Sequence, residues 1–182
     1  MRIIKLSMVF FAVVMVALFT VLPSQAAQKT AFTATGDPET VLSPGTRTCP
    51  GSPDQSDLLP CPDRMNVRGY VMTRPITASD SRVSGVATCE MNFNVDANQE
   101  GHYWGKCLLV LDEGGVAEGS YTGQMAWTGT PGMSPFFAID EDVAHVTGGP
   151  LDGCLLKFEG VTDLFTGLAT FTGYILDPHE KK

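Results

Sequence analysis

Cysteine thiols are the groups in this sequence with the widest chemistry, because they can pair, bind metals or attack a substrate. The five cysteines stand at positions 49, 61, 89, 107 and 154. Cys49 and Cys61 lie beside prolines and enclose a short loop, so a local disulfide is the simplest pairing. Closing so short a loop contributes on the order of 3 kcal/mol in the chain-entropy model. The two cysteines lack the Cys-x2-Cys spacing of a zinc knuckle, which favours a disulfide over a zinc site.

Carboxylates and imidazoles are the other groups that could bind a metal or move a proton. The acidic segments 111–119 and 138–145 lack the spacing of a calcium-binding EF-hand loop, and we interpret both as solvated rims. Paired carboxylates from the two rims are the alternative, as glycoside hydrolysis would need. His102, His145 and His179 have no metal-ligand spacing to one another. We therefore predict no metal, no cofactor and no catalytic residue.

Large aromatic side chains form the remaining candidate site. In "EGSYTGQMAWTGT" (118–130) the odd positions hold aromatic residues, a methionine and glycines, whereas the even positions are almost wholly polar. The same alternation of large and small residues recurs in "FTGLATFTGYIL" (165–176). One apolar face with gaps either fills a core or leaves a small pocket for one apolar ligand. The predicted ligand-binding residues are Tyr103, Tyr121, Met125, Trp127 and Phe171.

These side chains must be positioned by strands, because from residue 66 onward the dominant period is two. Seven segments show this alternation, and short turn-forming connections join them in chain order. Consecutive strands with short connections pair antiparallel as a meander. Inward glycines on several strands are typical of small closed barrels, which alternate small and large interior residues. We predict an all-β antiparallel meander barrel of about seven to eight strands.

The register of one hairpin can be predicted by arithmetic. In segments 82–96 and 103–111 both cysteines and both aromatic residues fall on the apolar parity. If Cys89 faces Cys107, opposed residue numbers sum to 196, which also opposes Glu90 to Lys106 as a favourable charge pair. We therefore predict a Cys89–Cys107 disulfide, with two reduced buried cysteines as the alternative.

Cys154 lies outside both predicted pairs. It shares its parity with Leu156 and Phe158, which predicts a buried side chain. A thiol buried among apolar groups is inert, and a role as nucleophile would need His145 close by.

The N-terminus has the features of a secretory signal peptide. Arg2 and Lys5 precede an uncharged apolar run over 6–22, and Ser24 and Ala26 are the small residues of a cleavage site. An uncleaved membrane anchor is the alternative, since the run approaches the length of a membrane span. We expect cleavage after Ala26 and a secreted or periplasmic protein, with no membrane association afterwards.

The sequence thus divides into three predicted regions: a signal peptide at 1–26, an extended Pro-rich arm with a disulfide loop at 27–64, and a β-barrel domain at 65–177.

Loss of the two basic residues of the signal peptide takes the formal net charge from −8 to −10. An acidic surface repels phosphate backbones, so nucleic acid is excluded as a partner.

The motifs "GSYTGQMAWTGT" (119–130), "HVTGGPLDGCLLKFEG" (145–160) and "FTGLATFTGYIL" (165–176) resemble those of the allene oxide cyclase and dirigent barrel families. The resemblance extends over about residues 66–176. It also includes exported bacterial proteins of unassigned function with an "RGYV…SDSRVSG" type segment, here 68–85. It implies a barrel that binds or processes a small apolar molecule in its interior. No catalytic residue of either enzyme family matches a position here.

Three functions are consistent with these features. The first is an exported, non-catalytic barrel that binds a small apolar ligand or serves as a structural module of the envelope or secretome. The second is a cofactor-free isomerase or cyclase acting on a lipid-like substrate. The third is a protein-interaction module that uses the acidic rims and the Cys49–Cys61 loop. A titratable group with a strongly perturbed pKa facing a cavity would favour the second over the first.

Overall fold

The computed structural model of the chain describes residues 28–50, 61 and 63–178. The predicted signal peptide and His179 lie outside these residues. The described part contains no helix that could cross a membrane. Its two short 3₁₀ turns are Ser81–Val83 and Gly149–Leu151. The ten strands are β1 (Gln28–Gly36), β2 (Thr40–Ser43), β3 (Thr46–Thr48), β4 (Arg64–Ala78), β5 (Gly85–Asp96), β6 (Gly101–Leu111), β7 (Val116–Trp127), β8 (Phe136–Thr147), β9 (Leu155–Asp163) and β10 (Ala169–Asp177).

The strands form one antiparallel sheet that closes on itself. Strands β4 to β10 pair in chain order as a meander. β1 then pairs with β10 along its whole length and with the end of β4, so β1 and the seven strands β4 to β10 make a ring of eight. β2 and β3 pair with the remaining edge of β4. The prediction of an all-β antiparallel meander of about seven to eight strands is confirmed.

The segment 27–64, for which an extended arm is predicted, supplies three of the ten strands. β1 alternates in burial, with Phe32 and Ala34 inside and the neighbouring threonines exposed. Its partners β10 and β4 are far away in the sequence, so no local turn signals its place in the sheet. The ring therefore includes residues on the N-terminal side of position 65.

The predicted hairpin register is confirmed. Cys89 opposes Cys107, Glu90 opposes Lys106 and Phe93 opposes Tyr103. The structure contains a Cys89–Cys107 disulfide and a Cys49–Cys61 disulfide, with Cα–Cα distances of 4.1 Å and 5.5 Å. Residues 51–60, between Cys49 and Cys61, lie outside the described part. Two disulfides indicate an oxidising compartment.

One end of the ring is filled by apolar side chains. Leu156 is fully buried there, and the two 3₁₀ turns add the buried side chains of Val83 and Leu151. Cys154 belongs to this cluster, is buried as predicted, and takes part in neither disulfide. The packed cluster forms the floor of the remaining interior, to which it contributes Phe32, Val83 and Leu109.

Candidate functional site

The other part of the interior encloses a cavity of about 280 Å³. Most of its wall is apolar and comes from inward side chains of the eight ring strands. Towards the end of the ring opposite the packed cluster, the wall consists of half-buried side chains from β4, β5, β7 and the residue after β9: Tyr70, Met72, Met91, Phe93, Met125 and Leu164. Methionines adapt to irregular shapes, so this wall can adjust to a guest molecule.

Four of the five predicted ligand-binding residues line this cavity: Tyr103, Tyr121, Met125 and Phe171. Trp127 does not. It shares the inward parity of β7 but is the last residue of that strand, where its ring stacks on Phe136 at 4.5 Å between centroids. Its indole N–H donates to the Asn98 carbonyl oxygen at 2.7 Å. Trp127 therefore lies outside the cavity wall, because parity gives the face of a strand and not the depth within the ring.

Inward glycines provide the space for the large side chains of the site. A Cβ atom at Gly123 would fall on the Tyr103 ring, and one at Gly160 would fall on the Asp140 carboxylate. One row of opposed inward positions alternates large residues with glycine: Tyr103, Gly123, Asp140, Gly160 and Phe171. The neighbouring row has glycine only at its two ends: Gly105, Tyr121, Asp142, Phe158 and Gly173. The glycines of the first row therefore provide the space that Tyr103 and Asp140 occupy.

The prediction of a solvated rim at 138–145 is wrong for Asp140 and Asp142. Both carboxyls line the cavity, and Asp142 is only 8 % exposed. The signal was present in the sequence, because both residues share their parity with the buried Ala138 and Ala144. The exposed residues of β8 are those of the opposite parity, His145 among them.

The other acidic segment, 111–119, agrees with the rim prediction. Asp112, Glu113 and Glu118 are exposed, and none of them lines the cavity. The paired carboxylates of the site thus come from one strand and not from two opposing rims.

A buried arginine crosses the site from β4. Arg74 is 3 % exposed, and its Nη2 lies 3.4 Å from Glu39 Oε2. Its Nη1 donates to Thr162 Oγ1 at 3.2 Å, and the Tyr70 hydroxyl donates to Glu39 Oε1 at 2.6 Å. Glu39 lies in the connection after β1 and links the two side chains, because it accepts from both Tyr70 and Arg74. Sequence reasoning missed Arg74, because its partners are up to 88 residues away.

Burial raises the pKa of both aspartates. The pKa of Asp142 rises to about 8, first through burial and then through the charge of Asp140. Burial also raises the pKa of Asp140, although the nearby Tyr103 hydroxyl and Arg74 charge oppose the shift. A carboxylic acid held protonated near neutral pH can donate a hydrogen bond or a proton.

Burial likewise raises the pKa values of Tyr103 and Tyr121, with the two aspartate charges acting in the same direction. Both phenols therefore stay protonated near neutral pH. The site thus combines two neutral phenols with two carboxyl groups of raised pKa.

Several buried polar atoms of this site make no hydrogen bond within the described part of the chain: Asp140 Oδ1, Asp142 Oδ1, the Tyr103 hydroxyl and Arg74 Nε. Each such atom costs on the order of 1–3 kcal/mol if nothing satisfies it. They face an apolar cavity large enough for a guest molecule. The arrangement is that of a binding pocket with a few convergent polar groups.

No group of three or more His, Cys, Asp or Glu side chains in the described ranges could hold a metal ion. No protein-family model, curated protein or solved structure matches the chain. The residues of the site can themselves supply hydrogen bonding, charge pairing and proton transfer in a cavity with mostly apolar walls.

Proposed function

We propose that this protein is exported and binds one small, largely apolar molecule inside the ring. The observation that carries the proposal is the cavity of about 280 Å³, whose apolar wall also presents buried polar atoms without partners. Drug-sized ligands occupy pockets of roughly 300–1,000 Å³, so this cavity suits a guest at the small end of that range. The guest would bury apolar surface and satisfy the buried polar atoms at the same time.

Export to the periplasm or the medium is part of the same proposal. It is supported by the two disulfides, which need an oxidising compartment, and by the predicted signal peptide at 1–26. The expected mature chain therefore meets its ligand outside the cytoplasm.

Mass spectrometry of the mature protein from its natural source tests the proposal directly. A native mass that exceeds the denatured mass by one discrete small molecule would support it and identify the ligand. Equal native and denatured masses would favour a structural role for the fold.

A cavity-filling variant provides a second test. Ala138→Leu adds three carbons to the cavity wall, and we expect it to abolish ligand binding. Ala126→Leu adds the same volume on the exposed face of β7 and is the matched control. Calorimetry with the identified ligand, or loss of the native mass difference, would report the effect. Unchanged binding in Ala138→Leu would place the ligand outside the cavity.

A second candidate function is a cofactor-free isomerase or cyclase that acts on a lipid-like substrate. The observation that favours it is the raised pKa of Asp142 beside Tyr121, directly across the strand pair, because a neutral acid can protonate a bound substrate. The resemblance of residues 66–176 to the allene oxide cyclase and dirigent families also supports it. Conversion of the identified ligand by the wild-type protein, with binding but no conversion in Asp142→Asn, would establish catalysis.

A further inference from the structure

We infer that the ligand carries a protonated amine, which is held between the carboxyl groups of Asp140 and Asp142, with its apolar part in the remainder of the cavity. The inference rests on the proposed binding function and specifies the chemistry of the ligand. It follows from the charges that line the cavity and from the buried polar atoms without partners among the described residues.

Charge is the first argument. Three carboxyl groups line the cavity, those of Glu39, Asp140 and Asp142, and Arg74 is the one cationic side chain among the described lining residues. Arg74 is within ion-pair distance of Glu39, and no cation of the described residues is within that distance of either aspartate. A ligand cation would complete the pairing, because a buried charge is stable only when it is paired.

Hydrogen bonding is the second argument. Asp140 Oδ1 and Asp142 Oδ1 are buried acceptors that receive no hydrogen bond from the described residues. They belong to residues two apart on β8, which project into the cavity from the same face of the strand. An ammonium group offers three donors and can satisfy both oxygens and leave one donor for a tyrosine. A hydroxyl offers one donor and can satisfy only one of the two oxygens.

The same residues disfavour an anionic ligand. Arg74, which would have to receive a carboxylate, already donates to Glu39 and Thr162 through its two terminal nitrogens, and among its nitrogens only Nε has no partner among the described residues. A ligand carboxylate in the cavity would also face the two aspartates at close range. Like charges in a buried site repel strongly, so anions should be excluded.

Binding of an amine should release a proton from Asp142, which makes the affinity depend on pH. The charged or titratable groups that line the cavity together with Asp142 are Asp140, Tyr103, Tyr121, Arg74, Glu39 and Tyr70. With the pKa of Asp142 raised to about 8, the carboxyl is largely protonated at neutral pH in the ligand-free protein. Binding of an ammonium group would expel that proton, so affinity for an amine should rise with pH by up to about tenfold per pH unit below 8. The amine itself stays protonated over this range, since an alkylammonium has a pKa of roughly 10.

Octylamine, octanol and octanoate have the same chain length and differ in their head group, so their affinities show which head group the cavity prefers. Calorimetric titration of the mature wild-type protein should give at least tenfold tighter binding for octylamine than for octanol at pH 8, and no binding of octanoate. The preference for octylamine should shrink between pH 8 and pH 6. Asp142→Asn should lose both the preference for octylamine over octanol and the pH dependence of that preference. It should keep its affinity for octanol, which also shows that the variant is folded. Glu141→Gln, an exposed neighbour on the same strand, should behave as wild type.

The outcomes distinguish the inference from the proposed function. Octanol binding as tightly as octylamine, or an Asp142→Asn variant that still prefers octylamine, would overturn the inference and leave an apolar binding site. Tighter binding of octanoate than of both other probes would mean that Arg74 binds the head group of the ligand, and would also overturn the inference. If none of the probes binds and the natural protein carries no ligand, the proposed function itself fails.

Discussion

Burial of Asp142 makes the stability of the protein depend on pH. In the unfolded chain its pKa is near 3.9, whereas burial raises the pKa to about 8 in the native state. Between these values the native protein keeps a proton that the unfolded chain releases. The free energy of unfolding should therefore decrease as pH rises from about 4 to 8, by up to about 1.4 kcal/mol per pH unit. Asp140 shifts in the same direction and adds to the effect.

Asp142→Asn should flatten this dependence, because the amide does not titrate in that range. Urea unfolding at pH 5, 6, 7 and 8 measures it, and Glu141→Gln controls for the loss of an acidic side chain from an exposed position on β8. A wild-type protein whose stability increases over this range would contradict the buried, protonated state of Asp142.

At the scale of the strands, glycine and tyrosine occupy opposed positions for a steric reason. Gly123 lies opposite Tyr103, and a methyl group there would meet both the Tyr103 ring and the Ile139 carbonyl. Overpacking of a packed interior costs typically 1–3 kcal/mol. We expect Gly123→Ala to destabilise the protein by about that amount, measured by chemical denaturation.

Gly129 provides the matched control for this prediction. Its Cβ position approaches only the Ser134 side chain, at 3.3 Å, and it lies on the surface. Gly129→Ala should change stability by less than about 0.5 kcal/mol. If both alanine variants cost the same, the space at Gly123 is not set by Tyr103.

The strand alternation made part of the site predictable. The hairpin of β5 and β6 has a cysteine and an aromatic residue at matching positions of both strands, so one register satisfied every pair. The same parity argument, applied to β8, places Asp140 and Asp142 inside with Ala138 and Ala144. The usual exposure of clustered acidic residues predicts the opposite placement. Burial of these carboxyls becomes evident only when the ring is closed around them.

Long-range pairing is what the sequence could not show. β1 closes the ring against β10, more than 130 residues later, and no local turn connects the two strands. Arg74 depends on that closure, because Gly36 of β1 leaves the space through which its side chain runs towards Thr162. The cavity and its charges are therefore properties of the closed ring and not of any one strand.

The whole molecule divides into a packed end and an end with a cavity, and the two ends should respond differently to truncation of a side chain. Leu156 is fully buried in the packed cluster, whereas Met125 is half-buried on the cavity wall. A side chain beside a cavity has fewer contacts to lose than one enclosed on all sides. Leu156→Ala should cost about 2–5 kcal/mol, and Met125→Ala less than half of that.

Guanidinium unfolding of the two variants in the ligand-free protein measures the difference. A ligand that fills the cavity should make this difference smaller. The side chain of Met125 would then pack against the guest, so Met125→Ala would weaken binding and lose more stability than it does without the ligand. Leu156→Ala should lower stability equally with and without the ligand. Equal losses for the two variants without ligand would mean that the cavity wall is packed as tightly as the opposite end, which a cavity of about 280 Å³ does not allow.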